Sequence, residues 1–210
     1  MIKKNWKVLM ITSIVILLPI LAGLFLWNQL PEKVPSHWNA AGQVDGWSSK
    51  GFAVFGMPLI LLAAQWLCVL ATAADPKSKN HSEKMLHLVL WIMPVITTVL
   101  HVVTYAVALG QPVRVEIVMP ILLGLVFVII GNYLPKCKQN YTIGIKIPWT
   151  LDSEENWNKT HRFAGRIWVV CGFLMILTAF FDIFWLCFIF TIPMVFGPLL
   201  YSYSLHKKGI

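Results

Sequence analysis

A chain of 210 residues that is 58% hydrophobic and only 12% charged, with a mean hydropathy of +0.71, carries too little charge to cover a soluble surface. Its formal charge of +8 does not indicate direct nucleic-acid binding, because the Lys and Arg residues lie between apolar runs and not on one basic face. Ten tryptophans fit a membrane protein, since indole rings favour the bilayer interface, and the four cysteines show no CxxC spacing. Cys68, Cys171 and Cys187 fall inside apolar runs and Cys137 lies between two lysines, so all four are read as reduced packing residues, with no cofactor or metal.

Six segments meet the length of about 20 largely apolar residues that a spanning helix requires: 8–28, 52–74, 86–109, 116–134, 165–181 and 183–204. The expected fold class is all-α, a polytopic integral membrane protein forming a six-transmembrane-helix bundle. The halves are residues 1–110 and 111–210. The first span follows the basic start MIKKNWK. Its apolar run is too long for a signal peptide and LWNQLPEK offers no small-x-small cleavage site, so it is read as retained. The last two spans are divided by little more than Asp182, which predicts a tight turn. Pro19, Pro58, Pro94, Pro120, Pro193 and Pro198 predict kinked helices, and Gly23, Gly124, Gly131 and Gly172 allow close helix approach.

Between the first two spans, residues 29–51 read QLPEKVPSHWNAAGQVDGWSSKG. Two prolines, NAAG and the DG pair predict an ordered, turn-rich loop and not a helix. Trp38 and Trp47 either anchor at the headgroups or contact a ligand. His37 and Asp45 lack the third partner that a metal or acid–base site needs, so no catalytic residue is assigned. Within the spans, polar residues are costly and mark candidate sites. Gln65 lies near the middle of the second span. Thr97, His101 and Thr104, spaced by four and three, form one stripe on the third span that is expected to face the bundle interior. The stripe is either a ligand- or proton-binding site or a neutral histidine bonded to a neighbouring helix.

Positive charge sets the orientation. Of seventeen Lys and Arg residues, only Lys33, Lys50 and Arg114 fall on the side opposite the N-terminus, which places both termini and the fourth–fifth loop in the cytoplasm. Asp182 and Glu116 are expected near the outer surface. That inner loop, 135–166, alternates Tyr141, Ile143, Ile145 and Ile147 with polar or small residues, which predicts a short extended segment ended by Pro148. Asp152 is then expected to cap a basic helix with Glu155 at its third position and a Glu155–Lys159 pair one turn apart. Trp157, His161 and Ala164 share one face of it, beside Lys159, Arg162 and Arg166. Such a helix either rests on anionic lipid or docks a protein. The two loops also echo each other, as NQLPEK and NYLPKC, as the pairs Trp38/Trp47 and Trp149/Trp157, and as Phe52-Ala53 and Phe163-Ala164. This pattern is consistent with a weak inverted 3+3 repeat.

LPEKVPSHWNAAGQVDGWSSK resembles the P-x-HW-x-x-x-G-x-x-DG pattern that opens many members of the SdpI family. GNYLPKCKQNYTIGIKIPWTLDSEENWNKTHRFAGR resembles that family's most recognisable block. The resemblance implies a multi-pass protein of the bacterial cytoplasmic membrane that gives immunity against a secreted peptide toxin. It also implies signal transduction, in which toxin engagement lets the protein hold an ArsR-type winged-helix repressor at the membrane. Carried over, Pro35, His37, Trp38, Gly42, Asp45, Gly46 and Trp47 belong to the toxin-facing side. Asn140, Tyr141, Gly144, Lys146, Pro148, Trp149, Trp157, Thr160, His161 and Arg162 belong to the coupling or repressor-facing side. The rival reading is a small transporter or channel for a lipid, peptide or ion. A membrane enzyme is not expected, because no nucleophile–base pair stands out.

Overall fold

The structure, a computed structural model, describes residues 4–181 and 183–210. Its elements run α1 (Trp6–Phe25), β1 (Lys33–Trp38), β2 (Val44–Ser49), α2 (Met57–Ala73), α3 (Glu83–Ala108), α4 (Val115–Tyr133), α5 (Pro148–Asp152), α6 (Glu154–Thr178) and α7 (Leu186–His206). Among the described residues, six helices are long and apolar enough to cross a membrane, which bears out the all-α polytopic reading. Asp182, the expected turn between the last two spans, lies outside the described residues.

The chain divides into two compact units, Met1–Ala73 with Leu86–Val115 and Ala74–Met85 with Glu116–Ile210. Residues 74–85 therefore group with the second unit. In the first unit, Gly23 on α1 is the point of closest approach: an added Cβ would lie 2.7 Å from Val54 and 2.8 Å from the Tyr105 hydroxyl. That space lets the Tyr105 hydroxyl donate to the Pro19 carbonyl at 3.1 Å, on a turn that the proline has already disturbed. Pro58 has a related effect on α2. With no N–H to give to residue 54, the preceding turn widens to a π-helical turn, Phe52–Gly56, closed by the Met57 N–H onto the Phe52 carbonyl.

In the second unit, α4 and α6 touch backbone to backbone at two levels. A Cβ on Gly124 would meet the Gly172 carbonyl at 2.5 Å, and one on Gly165 would meet the Gly131 carbonyl at 2.6 Å. Both pairs are seven residues apart along their helices, about two turns at 3.6 residues per turn, so all four glycines lie on the contact stripe. Helix α7 packs on α6 through Cys171, Met175, Cys187 and Met194, through a Trp168 indole bond to the Met194 carbonyl at 3.0 Å, and through stacked Phe163 and Tyr201 rings.

Candidate functional site

The 137–161 loop folds into an interlock built almost wholly from side chains capturing backbone groups. Asn140, 1% exposed, takes the N–H groups of Thr142 and Ile143 on its Oδ1 and gives its Nδ2 to the carbonyls of Lys138 and Ile143. Local capture of this kind is an asparagine habit, and it turns the chain where an extended strand was expected. Gly144 follows with φ +121°, a left-handed conformation that disfavours a Cβ. Its missing side chain leaves room for two rings. Trp157, fully buried, donates its indole N–H to the Cys137 carbonyl at 2.7 Å and stacks on His161 at 4.0 Å between centroids. His161 donates from Nδ1 to the Trp157 carbonyl and accepts at Nε2 from the Ile145 N–H, a pattern that only the neutral ring can satisfy. Thr150 closes the far end, giving its hydroxyl proton to the carbonyls of Ile145 and Ile147 and accepting from the Ile147 N–H.

A second strand of chain is tied into this loop. The buried Asp75 carboxylate accepts from the Tyr141 N–H and the Thr142 hydroxyl at 2.9 Å and from the Lys77 N–H at 2.7 Å, and it faces His81 Nε2 at 3.2 Å. Burial alone would raise the Asp75 pKa, but the Lys77, Thr142 and Tyr141 donors and the neighbouring His81 outweigh it and hold the carboxyl below its ordinary value. Lys77 reaches Gln139 Oε1, Asn80 holds the Gln139 carbonyl, and Gln139 Nε2 bonds the carbonyls of Thr150 and Leu151. The Cys137 thiol is free and buried against the Ile143 carbonyl, and burial pushes its pKa up to about 11.

Two expectations for this loop are corrected. Residues 141–144 form bends and 145–147 join no strand, because Asn140 and Gly144 override the period-two pattern. The helix cap is Ser153, whose hydroxyl accepts from the Asn156 N–H, while Asp152 ends the short helix α5. The basic helix runs on into the fifth span as one helix, α6, starting at Glu154, in line with the expected order. The Glu155–Lys159 pair is present at 2.7 Å. Of the coupling candidates, Asn140, Trp157, Thr160 and His161 are buried, Gly144 and Trp149 are half-buried, and Tyr141, Lys146, Pro148 and Arg162 are exposed. Trp149 packs on Tyr203 and His206 of α7. The buried Asn156, Thr160 and Ser202 form a chain of hydroxyl and amide bonds between α6 and α7. Sequence reasoning missed Asp75, His81, Gln139, Asn156 and Ser202. The Asp-Pro step at 75–76 is a turn signal that pointed to the first of them.

In the first unit, the turn-rich loop is a β-hairpin. Strand β1 pairs antiparallel with β2, with Pro35 opposite Trp47 and His37 opposite Gly46. A Cβ on Gly46 would lie 2.7 Å from the His37 Cβ, so the DG pair is needed where the strands crowd. Asn39 Oδ1 accepts from the Ala41 and Gln43 N–H groups, and Gly42 takes φ +74° in the turn. His37 and Asp45 meet across the hairpin, both exposed, and Trp47 is exposed as well. Lys50 fixes the base, pairing with Glu32 at 2.8 Å and lying over the Trp27 ring. At membrane depth, Gln65 and Thr97 are buried, His101 is buried with Nδ1 on the Thr97 carbonyl, and Thr104 is half-buried. Gln65 gives its Nε2 to the Thr12 hydroxyl at 3.0 Å. Among the described residues, no group of three His, Cys, Asp or Glu is placed to hold a metal.

Residues 136–202 match the SdpI/YfhL protein family, and residues 14–62 match DUF1648, a domain of unknown function. The chain is 28% identical over 209 residues to Immunity protein SdpI of Bacillus subtilis (strain 168), covering 98% of this chain and 97% of that relative. No solved structure matches it. The family segment contains all of residues 137–161 and the tie from Asn156 to Ser202 of α7, and the likeness runs nearly end to end. The chain is thus a multi-pass bacterial plasma-membrane protein with six helices able to span, similar over residues 136–202 to the SdpI/YfhL protein family and nearly end to end to an immunity protein.

Proposed function

We propose that the protein gives its cell immunity against a secreted, membrane-active peptide and reports that peptide's presence to a cytoplasmic repressor of the ArsR type. The near full-length likeness to an immunity protein carries the reading. The charge asymmetry supports an extracytoplasmic hairpin that meets the peptide and a cytoplasmic 137–161 loop. The loop supplies a docking face in the exposed Tyr141, Lys146, Pro148 and Arg162, while Trp157 and His161 hold that face in shape from inside. Arg162 and Arg166, both exposed, also suit anionic headgroups. For the signal to pass, the peptide must bind one arrangement of the protein better than another, at about 1.4 kcal/mol for each tenfold preference. We take these to be the closed interlock, in which Asp75 holds Thr142, and an arrangement in which that bond is released.

The test is survival of a strain lacking this gene, and of Bacillus subtilis lacking its own SdpI, in toxin-containing culture supernatant. Expression of this chain is expected to restore growth in at least the native host. Arg162→Ala with Tyr141→Ala is expected to leave survival intact and abolish induction of the repressor-controlled reporter. An inserted protein that restores growth in neither strain refutes the immunity reading. A double variant with normal induction refutes the docking face.

A further inference from the structure

Beneath the hairpin, the first unit holds a small, partly open cavity, lined by Pro35, Trp38, Ser48, Met57, His101 and Thr104 among other residues. Its walls are mostly apolar. Two buried polar atoms of its lining residues have no hydrogen-bond partner in the protein, the Trp38 indole Nε1 and the Ser48 hydroxyl. Both come from the hairpin, one from each strand. An indole N–H can only donate, so the pair asks for an acceptor, and the walls ask that the acceptor sit on an apolar body. His101 does not fill that role in the structure: its Nδ1 lies on the Thr97 carbonyl, and the Trp38 Nε1 stays without a partner. The two-stranded sheet adds a second indication. Each strand of a two-stranded sheet has one edge that is unpaired within the sheet, where an extended chain can add.

We propose that this cavity receives an apolar side chain of an extended peptide, one of whose main-chain carbonyls accepts from the Trp38 N–H and the Ser48 hydroxyl. This assignment rests on the immunity reading, and it names where and by what chemistry the secreted peptide is engaged. A bilayer lipid also carries apolar chains and carbonyls, but its chain offers nothing to pair with a strand edge.

The experiment uses full-length protein with ¹⁵N-indole tryptophan in phosphatidylglycerol–phosphatidylethanolamine nanodiscs. The Trp38 indole resonance is assigned by its loss in Trp38→Phe, and the probes are the blocked peptide acetyl-Ile-Val-Leu-Val-amide and dioleoylglycerol. A saturable shift of Trp38 with the peptide, weakened about tenfold in Ser48→Ala, is expected for one lost hydrogen bond. A shift with dioleoylglycerol alone, or with neither probe, overturns the proposal. In cells, Trp38→Phe and Ser48→Ala at normal membrane levels are expected to lower the tolerated supernatant concentration about tenfold. Unchanged tolerance where the unsubstituted protein protects counts against the cavity. If the unsubstituted protein fails to protect, the immunity reading falls, and the titration still decides whether the cavity takes a peptide.

Discussion

Gly144→Ala strikes the interlock at its tightest point. With φ at +121°, an added Cβ would lie 2.5 Å from His161 Nε2 and 3.0 Å from the Trp157 ring. Neither ring has freedom to yield. Trp157 is pinned by its bond to the Cys137 carbonyl, and His161 is held at both nitrogens. An L-residue forced into the left-handed region costs about 1–2 kcal/mol, and overpacking against fixed neighbours adds about 1–3 kcal/mol. The expected loss is therefore about 2–5 kcal/mol in the stability of the loop. Gly110→Ala is the control: Gly110 has φ +76° but nothing within 4 Å of an added Cβ, so only the backbone cost applies. The assay is the rate at which a maleimide reaches the buried Cys137 in purified protein, which reports loop opening, together with thermal unfolding. Gly144→Ala is expected to label more than about tenfold faster than Gly110→Ala, the factor that corresponds to 1.4 kcal/mol. Equal rates in the two variants would refute the cradle formed by Trp157 and His161.

Two further outcomes follow from the same geometry. Because the folded Asp75 carboxyl is held below its ordinary value, its stabilisation is fully present above about pH 3.9 and is lost as pH falls below that through the folded value. The unfolding temperature should therefore fall below about pH 4 in the unsubstituted protein and lose that dependence in Asp75→Asn, where it is already lowered at pH 7. Gly172→Ala places a Cβ 2.7 Å from the Gly124 carbonyl and 2.8 Å from Val128, and should lower the unfolding temperature through an overpacking cost of about 1–3 kcal/mol. A temperature unchanged from the unsubstituted protein would mean that α4 and α6 can separate freely.

The spans were legible because hydropathy alone decides them, and the observed helices differ from the expected ones mainly at their ends. The start of α6 was the exception. Its first turns are polar, which read as a surface helix, yet Trp157, His161 and Ala164 turn into the 137–161 loop and are buried there. Ile143, Ile145 and Ile147 alternate as a strand would, but periodicity is blind to an asparagine taking two backbone N–H groups and a glycine at positive φ. The ties from Asp75 span 66 and 67 residues of sequence, and no local pattern encodes a partner at that distance. Gly165 was open to discovery: it stands seven residues before Gly172, the same spacing as Gly124 and Gly131. The hairpin was half visible. NAAG and DG marked the turns, while the strands themselves follow from His37 facing a residue with no side chain. The two loops that echo each other in sequence fold differently, one as a hairpin and one as bends with a short helix.

The central claim, that peptide engagement at the hairpin loosens the 137–161 loop, is tested most directly by Cys137 labelling in intact cells with and without toxin-containing supernatant. The unsubstituted protein should label about tenfold faster when the toxin is present, and Trp38→Phe should blunt that rise. Full protection with no change in Cys137 labelling would contradict the claim.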